Sequence, residues 1–246
     1  MTLRCYAAPE QWADNRILLD AGESHHLLHV LRLHTGQPVT VLDGQGHQAE
    51  TVILSADKHG AELEIADVET HPVPQPAVTL APALIKHQRM DWLIQKSVEL
   101  GATGIHIVQT QHSIARIRKE QLDRKQQRFR QIACSALKQS GRHWLPEIQV
   151  YDCLNTLFES IHSSDLTLIC TLNAPEIQPL KSILADQKEQ EIKTVCALIG
   201  PEGDFTEEEV HLAIQHGAFP ALLGEHVLRA ETAACYILSI LSYALE

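Results

Sequence analysis

The sequence predicts a two-domain chain: a short β-rich N-terminal domain, then a larger α/β domain built on a parallel sheet. Three observations carry this. The first 70 residues hold short β-branched runs separated by turn residues. His71 to Pro76 then places three prolines in six residues, which neither a helix nor a central strand accommodates. Beyond it, apolar runs alternate with helical stretches, the pattern of a parallel sheet covered by helices. The expected organisation is therefore residues 1–70, a linker at 71–76, and residues 77–246.

In the first domain, Val39–Leu42 and Glu50–Leu54 read as strands around the turn sequence Asp43-Gly-Gln-Gly46. Ala61–Val68 alternates apolar and acidic residues, as a half-buried strand does. Ser24–Leu31 is expected to form a short helix with Ser24 as its N-cap. In the second domain the apolar runs are Val78–Ile85, Ile105–Val108, Leu166–Leu172, Val195–Ile199 and Ala221–Leu223. Helices are expected at Met90–Leu100, Glu120–Lys138, Leu180–Glu189, Glu207–His216 and Ala230–Leu245.

With 246 residues and 44% hydrophobic content the chain can bury a substantial core, but it has no run long enough to span a bilayer. Its N-terminus lacks the apolar segment and cleavage site of a signal peptide. Six scattered cysteines include no close pair, which suits a cytoplasmic protein with free thiols. The net charge of −11 is segregated. From Ala77 to Pro146 twelve Lys/Arg face four Asp/Glu, while both flanking regions are acidic. The densest cations are Arg116, Arg118, Lys119, Arg124, Lys125, Arg128 and Arg130. Such segregation is the footprint of a polyanion site, or otherwise of a solvated helix face.

Several motifs fail on context. Gly44-x-Gly46-x-x-Ala49 matches a dinucleotide fingerprint in spacing, but strand-forming residues follow where a helix is required. His25, His26 and His29 share a helix, yet the glutamate of a zinc-protease helix is missing, and no metal is expected. Walker, nucleophile-elbow and paired-cysteine motifs are absent.

Chemistry is instead concentrated in two loops after strand ends. Leu198 to Thr206 holds Gly200, Pro201, Glu202 and Gly203, with glycines permitting close ligand approach and Thr206 and Glu209 forming a capping box. Ligands of open α/β sheets bind at this edge. Glu202, Asp204, Glu207, Glu208 and Glu209 oppose a phosphate there and favour a cofactor with a positive centre, such as S-adenosylmethionine; equally, they serve the helix dipole. The second loop, Leu223 to Thr232, places Arg229 and Glu231 at the start of an apolar helix.

Four motifs in order resemble the bacterial small-subunit ribosomal RNA uridine-N3 methyltransferases of the SPOUT superfamily. They are Lys86-x-x-Arg-Met-Asp-Trp-Leu-Ile-Gln-Lys-Ser-Val-Glu-Leu-Gly101, Gln139-Ser-Gly-Arg142, Ile199-Gly-Pro-Glu-Gly203 and Leu223-Gly-x-x-Val-Leu-Arg-x-Glu-Thr-Ala233. The resemblance spans nearly the whole chain. It implies an N-terminal PUA-like β-barrel, a C-terminal α/β domain with a deep trefoil knot, and a homodimer. S-adenosyl-L-methionine would be bound by Leu172, Asn173, Ile199, Gly200, Pro201, Glu202, Gly203, Leu223, Gly224, Val227, Leu228 and Thr232. The implied substrate is 16S rRNA within the 30S subunit. The chain departs from the family pattern at Asp204 (commonly Gly), Ala230 (commonly Thr), Gln111-His112 (commonly Glu-Arg) and Lys138 (commonly Glu). The last two alter charge near the expected RNA face.

Methylating uridine N3 requires loss of its proton and an unpaired base. Arg229 is expected to stabilise the developing uracil anion, and Glu231 either to orient Arg229 or to act as base, with solvent hydroxide as the other acceptor. Arg89, Arg116, Arg118, Arg124, Lys125, Arg128 and Arg142 are the expected RNA contacts. Two other readings compete: an RNA methyltransferase with another target nucleotide, and a non-catalytic RNA-binding assembly protein.

Overall fold

The computed structural model describes residues 3–57, 60–161, 164–187 and 190–245. The chain forms two compact units, one running to Val73 and including Cys134–Leu145, the other comprising Pro74–Ala133 and the residues from Pro146 onward. The proline-rich segment marks the first crossing, at Val73/Pro74. The grouping of Cys134–Leu145 with the N-terminal strands has no counterpart in the composition.

The N-terminal unit contains β1 (Arg4–Tyr6), β2 (Trp12–Ala13), β3 (Arg16–Leu18), α1 (Ala21–His25), β4 (Pro38–Leu42), β5 (His47–Asp57) and β6 (Gly60–Thr70). They form a six-stranded sheet in the order β1-β4-β5-β6-β3-β2, antiparallel except for the β1–β4 pair. Among the described residues no pairing joins the end strands β1 and β2. Ile17, Leu27, Val39, Val41, Ile53 and Leu63 pack in its core. The Asp43–Gly46 segment turns between β4 and β5 because the Asp43 carboxylate accepts hydrogen bonds from the amides of Gln45 and His47 at 2.7 and 2.9 Å. A strand follows it, so the dinucleotide reading fails on structure as well.

The helix expected from Ser24 begins earlier. Asp20 is its N-cap, accepting from the amide of Glu23 at 2.8 Å. Ser24 is buried one turn inside, where its hydroxyl donates to the Leu19 carbonyl and accepts from the amide of Ala61. The helix continues into a π turn at His26–Val30. Lys138, expected to add charge to an RNA face, is an ion-pair partner of Glu23 instead, both side chains being mostly buried.

The second unit holds β7 (Ala77–Pro82), α2 (His87–Glu99), β8 (Gly104–Val108), the first turns of α3 (Leu122–Ser140), β9 (Glu147–Tyr151), α4 (Leu154–Ser160), β10 (Leu166–Cys170), β11 (Gln178–Pro179), α5 (Leu180–Asp186), β12 (Thr194–Ile199), α6 (Glu207–Gln215), β13 (Phe219–Leu222) and α7 (Ala230–Leu245). Its sheet is parallel throughout, in the order β11-β13-β10-β12-β7-β8-β9. Every residue of β8 is buried and β12 is buried from Val195 to Ile199, as strands covered on both faces must be. The helix expected at 180–189 ends at Asp186; Lys188 and Glu189 lie outside the described residues.

Helix burial follows the 3.6-residue period. In α2, Met90, Leu93, Ile94, Ser97 and Val98 face inward; in α7, Ala230, Ala233, Ala234, Ile237, Leu238 and Leu241 do so. These helices pack on one another, and α7 also packs on β7 and β12. This brings the α2 motif and both glycine-containing loops to one edge of the sheet.

Candidate active site

Strands β13, β10 and β12 are neighbours, and their carboxyl ends surround a cleft. Cys170, Thr171 and Leu172 come from the end of β10; Ile199, Gly200, Pro201, Glu202 and Asp204 from β12; and Leu222, Leu223, Gly224, His226, Val227 and Leu228 from β13. Ala230 and Ala233 of α7 complete the lining. Among the described residues no lysine or arginine contributes to it. Burial, with the Asp204 carboxylate beside it, pushes the Cys170 thiol up to about 12, so it is not a thiolate nucleophile at neutral pH.

The structure thus brings together Leu172, Ile199, Gly200, Pro201, Glu202, Leu223, Gly224, Val227 and Leu228 of the expected cofactor residues. Three others lie outside the cleft lining. Asn173 lines a neighbouring groove with Glu207 and Glu208. Gly203 abuts His112, and Thr232 is exposed on α7.

Asp204 is the residue that sequence reasoning undervalued. Its backbone is left-handed, at φ 58°, whereas neither Gly200 nor Gly203 has a positive φ. The glycines serve space instead: a Cβ on Gly200 would lie 3.1 Å from Asp204 Oδ1 and 3.2 Å from the Phe205 ring. Asp204 Oδ2 accepts from the Leu172 amide at 2.8 Å and from Thr171 Oγ1 at 2.9 Å, while Oδ1 accepts from the Phe205 amide at 2.8 Å. The side chain therefore joins the ends of β10 and β12.

The carboxylates also sort differently from their spacing. Of the five near the loop, only Glu202 and Asp204 line the cleft. Glu209 closes the expected capping box with Thr206 and also accepts from the amide of Gln111 at 2.8 Å. His112 Nδ1 donates to the carbonyls of Gly203 and Asp204 at 2.9 and 3.0 Å, which fixes the proton on that nitrogen because both partners only accept. Gln111 and His112 thus brace the glycine loop, an environment invisible in their charge alone.

At the rim, Arg89 of α2 donates to Glu202 at 2.8 Å and lies 3.7 Å from Glu231. Glu231, for which orienting Arg229 and acting as base were the alternative roles, meets Arg89. Arg229 is exposed, beside the cleft-lining Leu228, with no side-chain partner among the described residues.

A second cleft opens near the end of β7, lined by Arg116, Arg124, Lys125 and Arg128 above an apolar floor. Arg128 makes a two-pronged ion pair with Asp91, which holds its guanidinium above the ordinary range. Arg118 is exposed outside this cleft, and Arg142 belongs to the N-terminal unit.

The family model of an RNA methyltransferase domain matches residues 71–242, and that of an RNA methyltransferase PUA domain matches residues 19–66. The ribosomal RNA small subunit methyltransferase E of Synechocystis sp. is 32% identical over 100% of this chain and 79% of its own length. The chain belongs to the small subunit methyltransferase E family. A Bacillus subtilis member of that family is 26% identical over 91% of this chain and 88% of its own. Among solved structures, a Legionella pneumophila methyltransferase in complex with the cofactor SAM is 31% identical, with a TM-score of 0.87, covering 99% of this chain and 98% of that one. The methyltransferase E of Neisseria gonorrhoeae bound to S-adenosyl methionine is 28% identical, with a TM-score of 0.85 and the same coverage. In methyltransferase E terms, the N-terminal sheet is PUA-like and the parallel unit is the methyltransferase domain.

Proposed function

We propose that the chain transfers a methyl group from S-adenosylmethionine to N3 of one uridine in 16S rRNA of the 30S subunit. The observation that carries the donor half is the cleft at the ends of β10, β12 and β13. Its walls are largely apolar, it contains two carboxylates, and among the described residues no lysine or arginine lines it. A nucleotide bearing phosphates would meet two carboxylates and, at the rim, an Arg89 already engaged by Glu202, whereas an adenosine carrying a sulfonium suits both walls and charge. When bound, that cofactor supplies an electrophilic methyl group.

The chain's own residues do the rest. Asp204 holds Leu172 and the glycine loop at a fixed separation, and Arg89 ties Glu202 to Glu231 across the rim. Arg229, which meets no carboxylate among the described residues, stabilises the uracil anion through the base oxygens once the N3 proton has left. Glu231, engaged by Arg89, acts as a positioning residue, and the proton passes to solvent hydroxide.

The same reading includes a trefoil knot around β12, a barrel-like N-terminal sheet, a homodimer and a cytoplasmic setting. β12 lies between β7 and β10, both earlier in the chain, and α7 packs back on α2, an arrangement with which a threaded C-terminal segment is compatible. The outer side of α7 presents Tyr236 and Tyr243, a surface suited to a second copy. None of the described helices is long and apolar enough to cross a membrane.

Incubating the purified protein with S-adenosylmethionine and isolated 30S subunits should yield 3-methyluridine in 16S rRNA. Methylation at another base would retain the enzyme class and reject the target; cofactor binding without any transfer would reject the catalytic reading.

A further inference from the structure

The segment that follows β8 is closed on itself. The buried Gln109 side chain accepts from the Ile117 amide at 2.9 Å and donates to the Ile117 carbonyl at 3.1 Å, so one amide group clasps both ends. Inside the clasp the Ser113 amide donates to the Thr110 carbonyl, and the Ser113 hydroxyl accepts from the Thr110 amide. Glu209, in the first turn of α6, accepts from the Gln111 amide. The backbone of His112 is thus fixed on either side, and its exposed ring is carried on a rigid support.

That ring meets two consecutive peptide groups, those on either side of Asp204. Nδ1 donates to the carbonyls of Gly203 and Asp204 at 2.9 and 3.0 Å. The opposite ends of both peptides are engaged as well: the Asp204 amide donates to the Pro201 carbonyl at 3.0 Å, and the Phe205 amide donates to Asp204 Oδ1 at 2.8 Å. Between them Asp204 holds φ 58°, a conformation that a residue with a Cβ adopts only at a cost. Because each peptide is planar, Asp204 can leave that conformation only by turning a carbonyl away from its partner. One nitrogen binding both carbonyls opposes that turn. Gly203 gives the ring its room, since a Cβ there would lie 3.2 Å from His112 Cβ and 3.4 Å from Cγ. This accounts for a glycine that neither lines the cleft nor has a positive φ.

We infer that His112 is a positioning residue for the methyl donor. By binding both carbonyls that flank Asp204 it keeps that residue left-handed, and so keeps the Asp204 carboxylate on the Leu172 amide and the Thr171 hydroxyl. His112 lies outside the cleft lining and acts through Asp204, which is part of it. The inference deepens the donor-site reading and is independent of which nucleotide is methylated.

Calorimetric titration with S-adenosylmethionine reads this role without RNA. His112→Ala should weaken binding about tenfold, the loss of one shared donor. His112→Asn, which returns an N–H at the same branch of the side chain, should recover most of it. In an Asp204→Gly background the carboxylate is gone and the left-handed backbone is unstrained, so His112→Ala should there cost about twofold or less. Gly203→Ala should resemble His112→Ala, and the two together should add little. An equal loss from His112→Ala in both backgrounds would overturn the inference, as would His112→Asn binding no better than His112→Ala. In the ligand-free wild-type protein, nitrogen NMR of isotope-labelled histidine above neutral pH should show His112 as the Nδ1–H tautomer; the Nε2–H tautomer would overturn it. Thermal melting of each variant without ligand confirms that it is folded. With 30S subunits as substrate, His112→Ala should raise KM for S-adenosylmethionine and leave kcat little changed. Absence of methyl transfer by the wild-type protein would reject the uridine reading and leave the calorimetric result standing.

Discussion

The carboxylate of Asp204 and the backbone amide of Leu172 are 2.8 Å apart, and this hydrogen bond connects the loops after β10 and β12 on either side of the donor cleft. The residue making it adopts φ 58°, in the left-handed region that favours glycine. Glycine reaches that conformation without strain but offers no carboxylate; aspartate is among the side chains that tolerate it best.

Two variants separate the backbone from the side chain. Asp204→Gly retains the conformational freedom and loses three hydrogen bonds, so S-adenosylmethionine affinity should fall several-fold and the melting temperature should drop by the cost of those bonds alone. Asp204→Ala loses the same bonds and adds backbone strain of about 1 kcal/mol, lowering both. Calorimetry and thermal melting measure the two effects. Cofactor binding by Asp204→Gly at the parental affinity would deny the side chain its positioning role.

Arg229 and Arg89 should separate chemistry from architecture. Arg229→Ala should lower kcat by about 100-fold or more while cofactor affinity stays within a few-fold, because its charge is expressed toward the anion formed in the reaction. Arg89→Met leaves Glu202 and Glu231 unpaired at the rim, so it should weaken cofactor binding and lower kcat together; Arg89→Lys should restore part of both. Turnover unchanged in Arg229→Ala removes that residue from the mechanism.

Lys138 is a stability residue on this account. Its partner Glu23 is 16% exposed at the side chain and also accepts from the Tyr6 amide at 3.2 Å. Lys138→Met should cost about 2 kcal/mol by stranding that carboxylate, lowering the melting midpoint by about 5 °C. The double variant Lys138→Met/Glu23→Gln should recover part of the loss. RNA affinity of the folded variant is expected to be nearly unchanged; a large fall would return Lys138 to the RNA face.

His106 in β8 is buried, neither ring nitrogen has a hydrogen-bond partner among the described residues, and the nearest carboxylate, Glu147, is 3.8 Å away. Burial lowers its proton affinity, with Glu147 opposing the shift. The unfolded chain, titrating near the ordinary histidine value of about 6.5, then binds the proton more readily than the native state. The native advantage is complete above that value and declines as pH falls below it. Denaturant midpoints measured from pH 7.5 to 5 should therefore decline more steeply for the parent than for His106→Leu. Parallel curves would exclude His106 as a contributor.

The parallel sheet was legible because β7, β8, β10 and β12 are apolar runs that need no alternation when both faces are covered. β9, Glu-Ile-Gln-Val-Tyr at the sheet edge, escaped because its polar residues dilute that signal, and the seven-residue α4 is too short to show a helical period. In the cleft, Gly200 and Pro201 stood out in the loop sequence, whereas Leu228 was implied only by the family resemblance. The Arg89–Glu231 pair did not, since its members are far apart in sequence and nearer residues looked like partners. His112 and Lys138 stood out only as departures from a family pattern, and Asp204 also as one of five loop carboxylates; what they touch depends on tertiary placement that local sequence does not encode.

The central claim, methylation of one uridine at N3 in 16S rRNA, is tested most directly by mass mapping of 16S rRNA from a strain lacking this gene beside its parent. The account predicts that a single 3-methyluridine is lost, and that a plasmid-borne wild-type copy restores it while the Arg229→Ala copy does not. An unchanged set of 16S modifications, or loss of a methyl group from a position other than uridine N3, would contradict it.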